Sequence, residues 1–138
     1  MVKNLEEVLD IQVSSNISIR IMDILDIEIM VKTFQEANWQ KPASLFENYL
    51  KEQENGKRII WVAYLDNKFI GYITLKWESK FIPFKKKQIP EINDFNILPI
   101  FRGKGIGLKL LKKAEEKAAT RSDIVGLGVG LYEDYGAA

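Results

Sequence analysis

The most constraining feature of this sequence is a strand, a glycine-rich turn and a helix that follow one another between residues 91 and 118. Residues 91–98 have the β-branched and aromatic content of a strand, which Pro99 ends. Three glycines follow within five residues, and apolar residues with helical spacing then continue to Ala118. This order aims several backbone N–H groups at one point beside the positive end of the helix dipole. Such a geometry predicts an anion site, most often for phosphate.

The spacing of the glycines narrows the choice of phosphate. No Walker-type loop is present, and the third glycine of the dinucleotide fingerprint would fall on Leu108. The pattern that fits is Arg/Gln-x-x-Gly-x-Gly/Ala, with Arg102, Gly105 and Gly107 in its defining positions. The alternative is a glycine-softened connection between a strand and a helix that holds no ligand.

With this loop, the chain resembles the Gcn5-related N-acetyltransferase (GNAT) superfamily. The resemblance implies that the loop binds the pyrophosphate of acetyl-coenzyme A, a co-substrate, through backbone amides. It also implies that the preceding strand carries a bulge and lends backbone groups to the pantetheine arm. No metal is implied. The positions that match the coenzyme-binding segment are Phe95, Asn96, Ile97, Arg102, Gly103, Lys104, Gly105, Ile106, Gly107 and Leu108.

Composition limits the chemistry that the chain can perform. The 138 residues predict a single domain with a net charge of +1, so no strong field indicates a nucleic acid or a membrane as partner. There is no cysteine and no histidine, which excludes thiolate nucleophiles, imidazole-dependent triads and disulfides. Proton transfer therefore has to use carboxylates, Tyr, Lys, a terminus or water. No secretory signal is visible, so we predict a cytoplasmic location.

The periodicity of the whole chain predicts the order β-α-α-β-β-β-α-β. A hairpin, a third strand and one crossover helix to a parallel strand give an α/β (or α+β) fold with a mixed, mostly antiparallel sheet flanked by helices. Residues 78–90 are expected to form a loop. The predicted strands are 17–22, 58–65, 69–77, 91–98 and 124–131. The predicted helices run from Asp23 or Asp26 to about Asn38, from Pro42 to the Gly56 cap, and from the glycine turn to Ala118.

The last predicted strand has an unusual composition. Glycine at alternate positions (Gly126, Gly128 and Gly130) leaves one face without side chains, so that this face either admits a ligand or a neighbouring backbone, or is packed by an aromatic ring. The resemblance covers residues 17–138, and it implies a last helix, with a tyrosine as general acid, and two strands beyond them. We therefore expect one GNAT-like domain, 1–138, that is incomplete at its C-terminus. The uncovered edge 124–131 then predicts self-association as a homodimer.

The resemblance implies direct transfer of an acetyl group to an amine of a small molecule or a protein. Glu91 lies where the histone-acetylating branch of the family has its catalytic base, and Asp94 on the same strand is the alternative. Glu91 is equally compatible with a solvated carboxylate at the end of a strand, without a catalytic role. Two other functions stay open: a non-catalytic module that binds acyl-coenzyme A or a protein, and a nucleotide-binding domain of another kind.

Overall fold

A computed structural model of the chain describes residues 16–128. No helix in this part of the chain is long and apolar enough to cross a membrane. In chain order its elements are β1 Ile17–Ile21, α1 Ile24–Glu36, α2 Ala43–Glu54, β2 Arg58–Leu65, β3 Lys68–Lys76, α3 Ile82–Lys86, β4 Glu91–Ile97, a 3₁₀ turn Pro99–Phe101, α4 Ile106–Ala118 and β5 Gly126–Leu127.

The strands form one sheet in the order β1-β2-β3-β4-β5. The successive pairs β1–β2, β2–β3 and β3–β4 are antiparallel. After the crossover through α4, β5 joins β4 in parallel. The predicted mixed, mostly antiparallel sheet flanked by helices is thereby confirmed. The helix α3 is an addition to the predicted order, because residues 78–90 were expected to form only a loop. Pro83 in its first turn is compatible with a helix that lasts only five residues.

The two faces of the sheet bury separate apolar clusters. Side chains alternate along β3, so that Tyr72 packs against α1 and α2, whereas Ile73 and Leu75 pack on the side of α4. All three are completely buried. Because both faces are covered by helices, β2 and β3 read as continuous apolar runs rather than as an alternating pattern.

Two glycines mark places where other atoms approach the sheet. A Cβ atom at Gly71 would lie 2.7 Å from the backbone oxygen of Asn96, so the lack of a side chain here lets β4 approach β3 closely. At Gly126 the same atom would collide with the ring of Phe84, so an aromatic side chain, the second of the two predicted alternatives, occupies this side of β5. Residues 129–131 of the predicted self-association edge, Gly130 among them, lie outside the described residues.

Both predicted N-terminal caps of α1 act together. Asp23 accepts from the backbone N–H of Leu25, and the Asp26 carboxylate accepts in return from the backbone N–H of Asp23. Asp26 also accepts from both terminal nitrogens of Arg20, at 2.6 and 2.7 Å, and from the Tyr64 hydroxyl at 2.6 Å. Burial alone would raise the pKa of Asp26, but the hydrogen bonds from Arg20 and Tyr64 outweigh it and lower that pKa below its ordinary value.

The lowered pKa of Asp26 predicts part of the response of this fold to acid. Because the folded-state pKa lies below the unfolded value of about 3.9, the carboxylate stabilises the fold above that pH. This contribution is lost as the pH falls through the folded-state pKa. The melting temperature of Asp26→Asn should therefore fall less than that of the wild type between pH 6 and pH 3. The exposed Asp66→Asn variant is the control, and a wild-type acid response in Asp26→Asn would contradict the prediction.

Candidate active site

A β-bulge interrupts the pairing between β3 and β4. The pairs on either side of it are Tyr72–Asn96 and Thr74–Asn93. Between them β4 has two residues, Asp94 and Phe95, where β3 has one. Asp94 has a φ of 58°, in the left-handed region that residues with a Cβ seldom occupy. The bulge that the family resemblance implied for this strand is therefore confirmed.

The bulge changes which side of the sheet the Asp94 carboxylate faces. In a regular strand Asp94 would lie on the α4 side together with Ile92, because alternate residues share a face. Instead its carboxylate meets Tyr49 of α2 and Tyr72, which lie on the other side. Phe95 packs with the apolar cluster on the α4 side. Asp94 therefore joins Glu91, Asn93 and Asn96 on the face covered by α1 and α2.

Four donors converge on the Asp94 carboxylate. The hydroxyls of Tyr49 and Tyr72 donate to Oδ2 at 2.7 and 2.6 Å. The side-chain amide of Asn96 donates to Oδ1 at 2.6 Å, and the ammonium of Lys41 lies 3.2 Å from the same oxygen. Both side chains of the Lys41–Asp94 ion pair are largely buried, with 15% and 14% of their surfaces exposed. Both carboxylate oxygens are thus already hydrogen-bonded.

The two tyrosines in this cluster are firm hydrogen-bond donors. Burial is the main reason why the pKa of Tyr49 and that of Tyr72 lie far above the ordinary value of about 10, and the negative charge of Asp94 raises both further. Both hydroxyls are therefore protonated at neutral pH.

Glu91, the other candidate base, lies at the first position of β4 and is buried, with 8% of its surface exposed. Its cross-strand partner is Lys76. The carboxylate lies against Gly128, where an added Cβ atom would be 2.7 Å from Oε1. Glu91 and Asp94 share one face of the bulged strand but have different surroundings. Four donors contact the Asp94 carboxylate, whereas the Glu91 carboxylate packs against the backbone of Gly128.

An arginine network that sequence reasoning missed supports this face. Arg58, 4% exposed, donates from Nε to Glu52 and from Nη1 to Thr74, each at 2.7 Å. Its guanidinium carbon lies 4.2 Å from the ring centre of Tyr49, and Nη1 also contacts Asn93 at 3.3 Å. The one available signal was an arginine at the start of an otherwise apolar strand.

The glycine loop has the shape that an anion site requires. Gly103 and Gly105 have φ angles of 77° and 82°, and an added Cβ atom at either position would meet no atom within 4 Å. Gly105 is the N-cap of α4 and supplies no capping side chain. Ile106, Gly107 and Leu108 form the first turn, whose N–H groups have no carbonyl one turn earlier in the helix. The amides of this turn therefore lie next to an open, exposed loop, an arrangement compatible with the predicted phosphate site.

Other residues of the predicted coenzyme segment have contacts within the protein. Arg102 donates from Nε to the carbonyl of Ile97 at 3.0 Å. Ile106 is 1% exposed and packs in the core, whereas Leu108 is 72% exposed. Gly107, for which phosphate binding was predicted, also serves packing, because an added Cβ atom would lie 3.3 Å from the Phe95 ring.

The outer edge of β4 is partly open in the described residues. Within residues 16–128, β5 pairs with β4 only at Glu91 and Ile92. Within the same residues, the bulged half of β4, from Asp94 onward, therefore has no paired residue in β5. This half leads through the 3₁₀ turn into the glycine loop, so that the bulge and the loop are consecutive in the chain.

The N-acyltransferase fold has this arrangement. It combines a mixed sheet, a bulge in the fourth strand and a glycine loop before the crossover helix, which has no capping side chain. The family model described as the Acetyltransferase (GNAT) family matches residues 23–136, and the chain belongs to this family.

The matches to curated relatives cover only part of the chain. A protein of Archaeoglobus fulgidus described as an uncharacterized N-acetyltransferase is 38% identical over 63 residues, which are 46% of this chain and 42% of the relative. The chain spans less than half of the length of two curated relatives that it matches, 42% of this one and 39% of a second.

Two crystal structures show that the fold is shared. A GNAT family acetyltransferase from Staphylococcus aureus has a TM-score of 0.62 and 21% identity, with 83% of this chain and 87% of that one covered. A protein of Clostridium acetobutylicum, described as a predicted acetyltransferase with acetyl-CoA, has a TM-score of 0.61 and 16% identity, with 85% and 82% covered.

The packing of Gly107 can be tested separately from ligand binding. In Gly107→Val the added methyl groups would press on Phe95, and we expect a loss of about 1–3 kcal/mol in the free energy of unfolding. Leu108→Val, one position along the same exposed turn, is the control and should cost no more than about 0.5 kcal/mol. Urea unfolding without coenzyme measures both. Equal stability of the two variants would show that Phe95 does not restrict this position.

Proposed function

We propose that this chain transfers an acetyl group from acetyl-coenzyme A to a primary amine of a small molecule or a protein. The observation that carries the proposal is the continuity of the open glycine loop with a bulged strand that has two carboxylates on one face. The loop supplies an anion site, and the bulged strand supplies backbone groups and a base. The base lies at the start of the segment formed by β4 and the loop, and the anion site lies at its end.

The residues of the loop fit a coenzyme pyrophosphate. Gly103 and Gly105 leave open space above the backbone, and the amides of the first turn of α4 lie at the positive end of its dipole. The C. acetobutylicum structure described with acetyl-CoA has the same fold, which supports the choice of coenzyme. Arg102 is expected to contribute less than the backbone, because its Nε already donates to Ile97.

Direct transfer suits the side chains that are present. The amine nitrogen attacks the thioester carbonyl carbon, the N–C bond forms, the C–S bond breaks, and the sulfur leaves with the bonding electron pair. The attacking amine loses a proton, and the departing thiolate gains one. No covalent enzyme intermediate is required, in agreement with a sequence that has no cysteine and no histidine. Positioning of the two substrates in one site supplies much of the rate.

We propose Glu91 as the base, acting directly or through one water. A protonated alkylamine has a pKa of about 10.4, so a base has to accept a proton at neutral pH. Asp94, the alternative base, already accepts hydrogen bonds from Tyr49, Tyr72, Asn96 and Lys41. This saturation favours Glu91 as the proton acceptor and a positioning role for Asp94.

The loop assignment predicts a specific loss of coenzyme affinity. Gly105→Val should abolish acetyl-coenzyme A binding in calorimetry, because a β-branched residue resists a φ of 82° and covers the amides. Gly56→Val is the matched control: Gly56 has a φ of 73°, equally open surroundings and a place after α2. It should cost similar stability and keep the wild-type affinity. Unchanged coenzyme affinity in folded Gly105→Val would refute the loop assignment.

The base assignment predicts a kinetic effect. Glu91→Gln should lower kcat by about 10²- to 10⁴-fold and alter its pH profile, while affinity for acetyl-coenzyme A is retained. Thiol release in the presence of a panel of primary amines measures this, and a protein without cysteine adds no background to a thiol reagent. Exposed Glu116→Gln on α4 is the control. A kcat unaffected by Glu91→Gln would exclude Glu91 as the base, and coenzyme binding without any transfer would favour the non-catalytic module.

A further inference from the structure

The connection between α1 and α2, residues 37–42, is held to the site by a buried ion pair. Lys41 of this connection reaches the Asp94 carboxylate at 3.2 Å, and both side chains are about six-sevenths buried. The Lys41 ammonium also lies 5.5 Å from the ring centre of Trp39 and 5.7 Å from that of Tyr72. An ammonium between a carboxylate and two aromatic faces is held far more firmly than one in an exposed pair.

The same connection has a second contact, with the start of the coenzyme loop. The guanidinium of Arg102 lies 5.9 Å from the ring centre of Trp39. Trp39 is itself anchored, since its backbone N–H donates to the carbonyl of Phe34 at 2.8 Å and its ring packs edge-on against Phe34 at 5.4 Å. Residues 37–42 therefore lie across the segment that joins the bulge to the glycine loop.

The other donors to Asp94 do not come from this connection. Tyr49 belongs to α2, Tyr72 to β3 and Asn96 to β4. Without Lys41 the carboxylate would keep these three neutral hydrogen bonds, and the bulge would keep its support. What would be lost is the ionic contact between the bulge and residues 37–42.

We propose that Lys41 is a positioning residue whose ion pair with Asp94 latches the α1–α2 connection onto the bulge of β4. The left-handed conformation of Asp94 is what makes the latch possible, because it turns the carboxylate towards α1 and α2. The inference rests on the proposed function in one respect: if the bulge and the glycine loop bind the thioester, residues 37–42 border the space beside them, so the latch limits the room open to the amine.

Amide hydrogen exchange in the free protein tests the latch without an acceptor. The reporters are the amides of Trp39 and Leu45, which flank Lys41 and are hydrogen-bonded to the carbonyls of Phe34 and Pro42. In Lys41→Met, which keeps most of the side-chain volume and removes the charge, their exchange should accelerate by about tenfold relative to amides of β3. Lys41→Arg restores a cation and should return both rates to within about threefold of the wild type.

Tyr72→Phe is the matched control. It removes another hydrogen bond from the same carboxylate and leaves the ion pair in place, so any acceleration should not be concentrated at Trp39 and Leu45. The latch is refuted if Lys41→Met leaves both rates unchanged, accelerates all amides equally, or is not rescued by arginine.

Calorimetry with acetyl-coenzyme A separates this inference from the proposed function. Lys41→Met should keep the coenzyme affinity within about twofold, because Lys41 contacts the bulge and not the glycine loop. A wild-type chain that does not bind acetyl-coenzyme A would refute the proposed function, and the exchange rates would still decide on the latch. A large loss of coenzyme affinity in Lys41→Met would contradict the assignment of the latch to the acceptor side.

Discussion

The left-handed conformation of Asp94 is the constraint on which the site depends. One additional residue in β4 turns a carboxylate from the α4 side of the sheet to the side of α1 and α2. A non-glycine residue in this region costs on the order of 1 kcal/mol or more. Four hydrogen bonds to the carboxylate, two of them from the buried tyrosines Tyr49 and Tyr72, offset that cost and keep the bulge in one conformation.

The bulge also determines how the glycine loop is placed. Because the alternation of side chains shifts at Asp94, Phe95 packs on the α4 side and its ring meets Gly107 in the first turn of that helix. The absence of a side chain at Gly107 lets the helix approach the strand closely. The N-terminus of α4, and with it the proposed anion site, is therefore fixed relative to the face that has the two carboxylates.

Much of the fold could be predicted because its signals are local. The alternation in β1, the hairpin of β2 and β3, and the positive-φ glycines before α4 each depend on neighbours within a few residues. The environment of each candidate residue could not be predicted in this way. Whether Gly126 faces a ligand or an aromatic ring depended on Phe84 in α3, a helix that the periodicity of residues 78–90 did not indicate. Lys41 showed no pattern that marked it as a partner of this site, and Arg58 was marked only by its place at the start of an otherwise apolar strand.

The sequence by itself determined the order of the elements other than α3, the glycine turn and the family, because backbone conformation and side-chain periodicity are short-range properties. Only the tertiary structure decided the surroundings of the two carboxylates. Asp94 became the centre of a hydrogen-bonded cluster through a bulge that no periodicity reveals, and its donors come from three separate elements and one connection. Glu91 became a buried carboxylate against Gly128, a residue beyond the crossover helix, because burial and hydrogen bonding depend on contacts between segments that are distant in the chain.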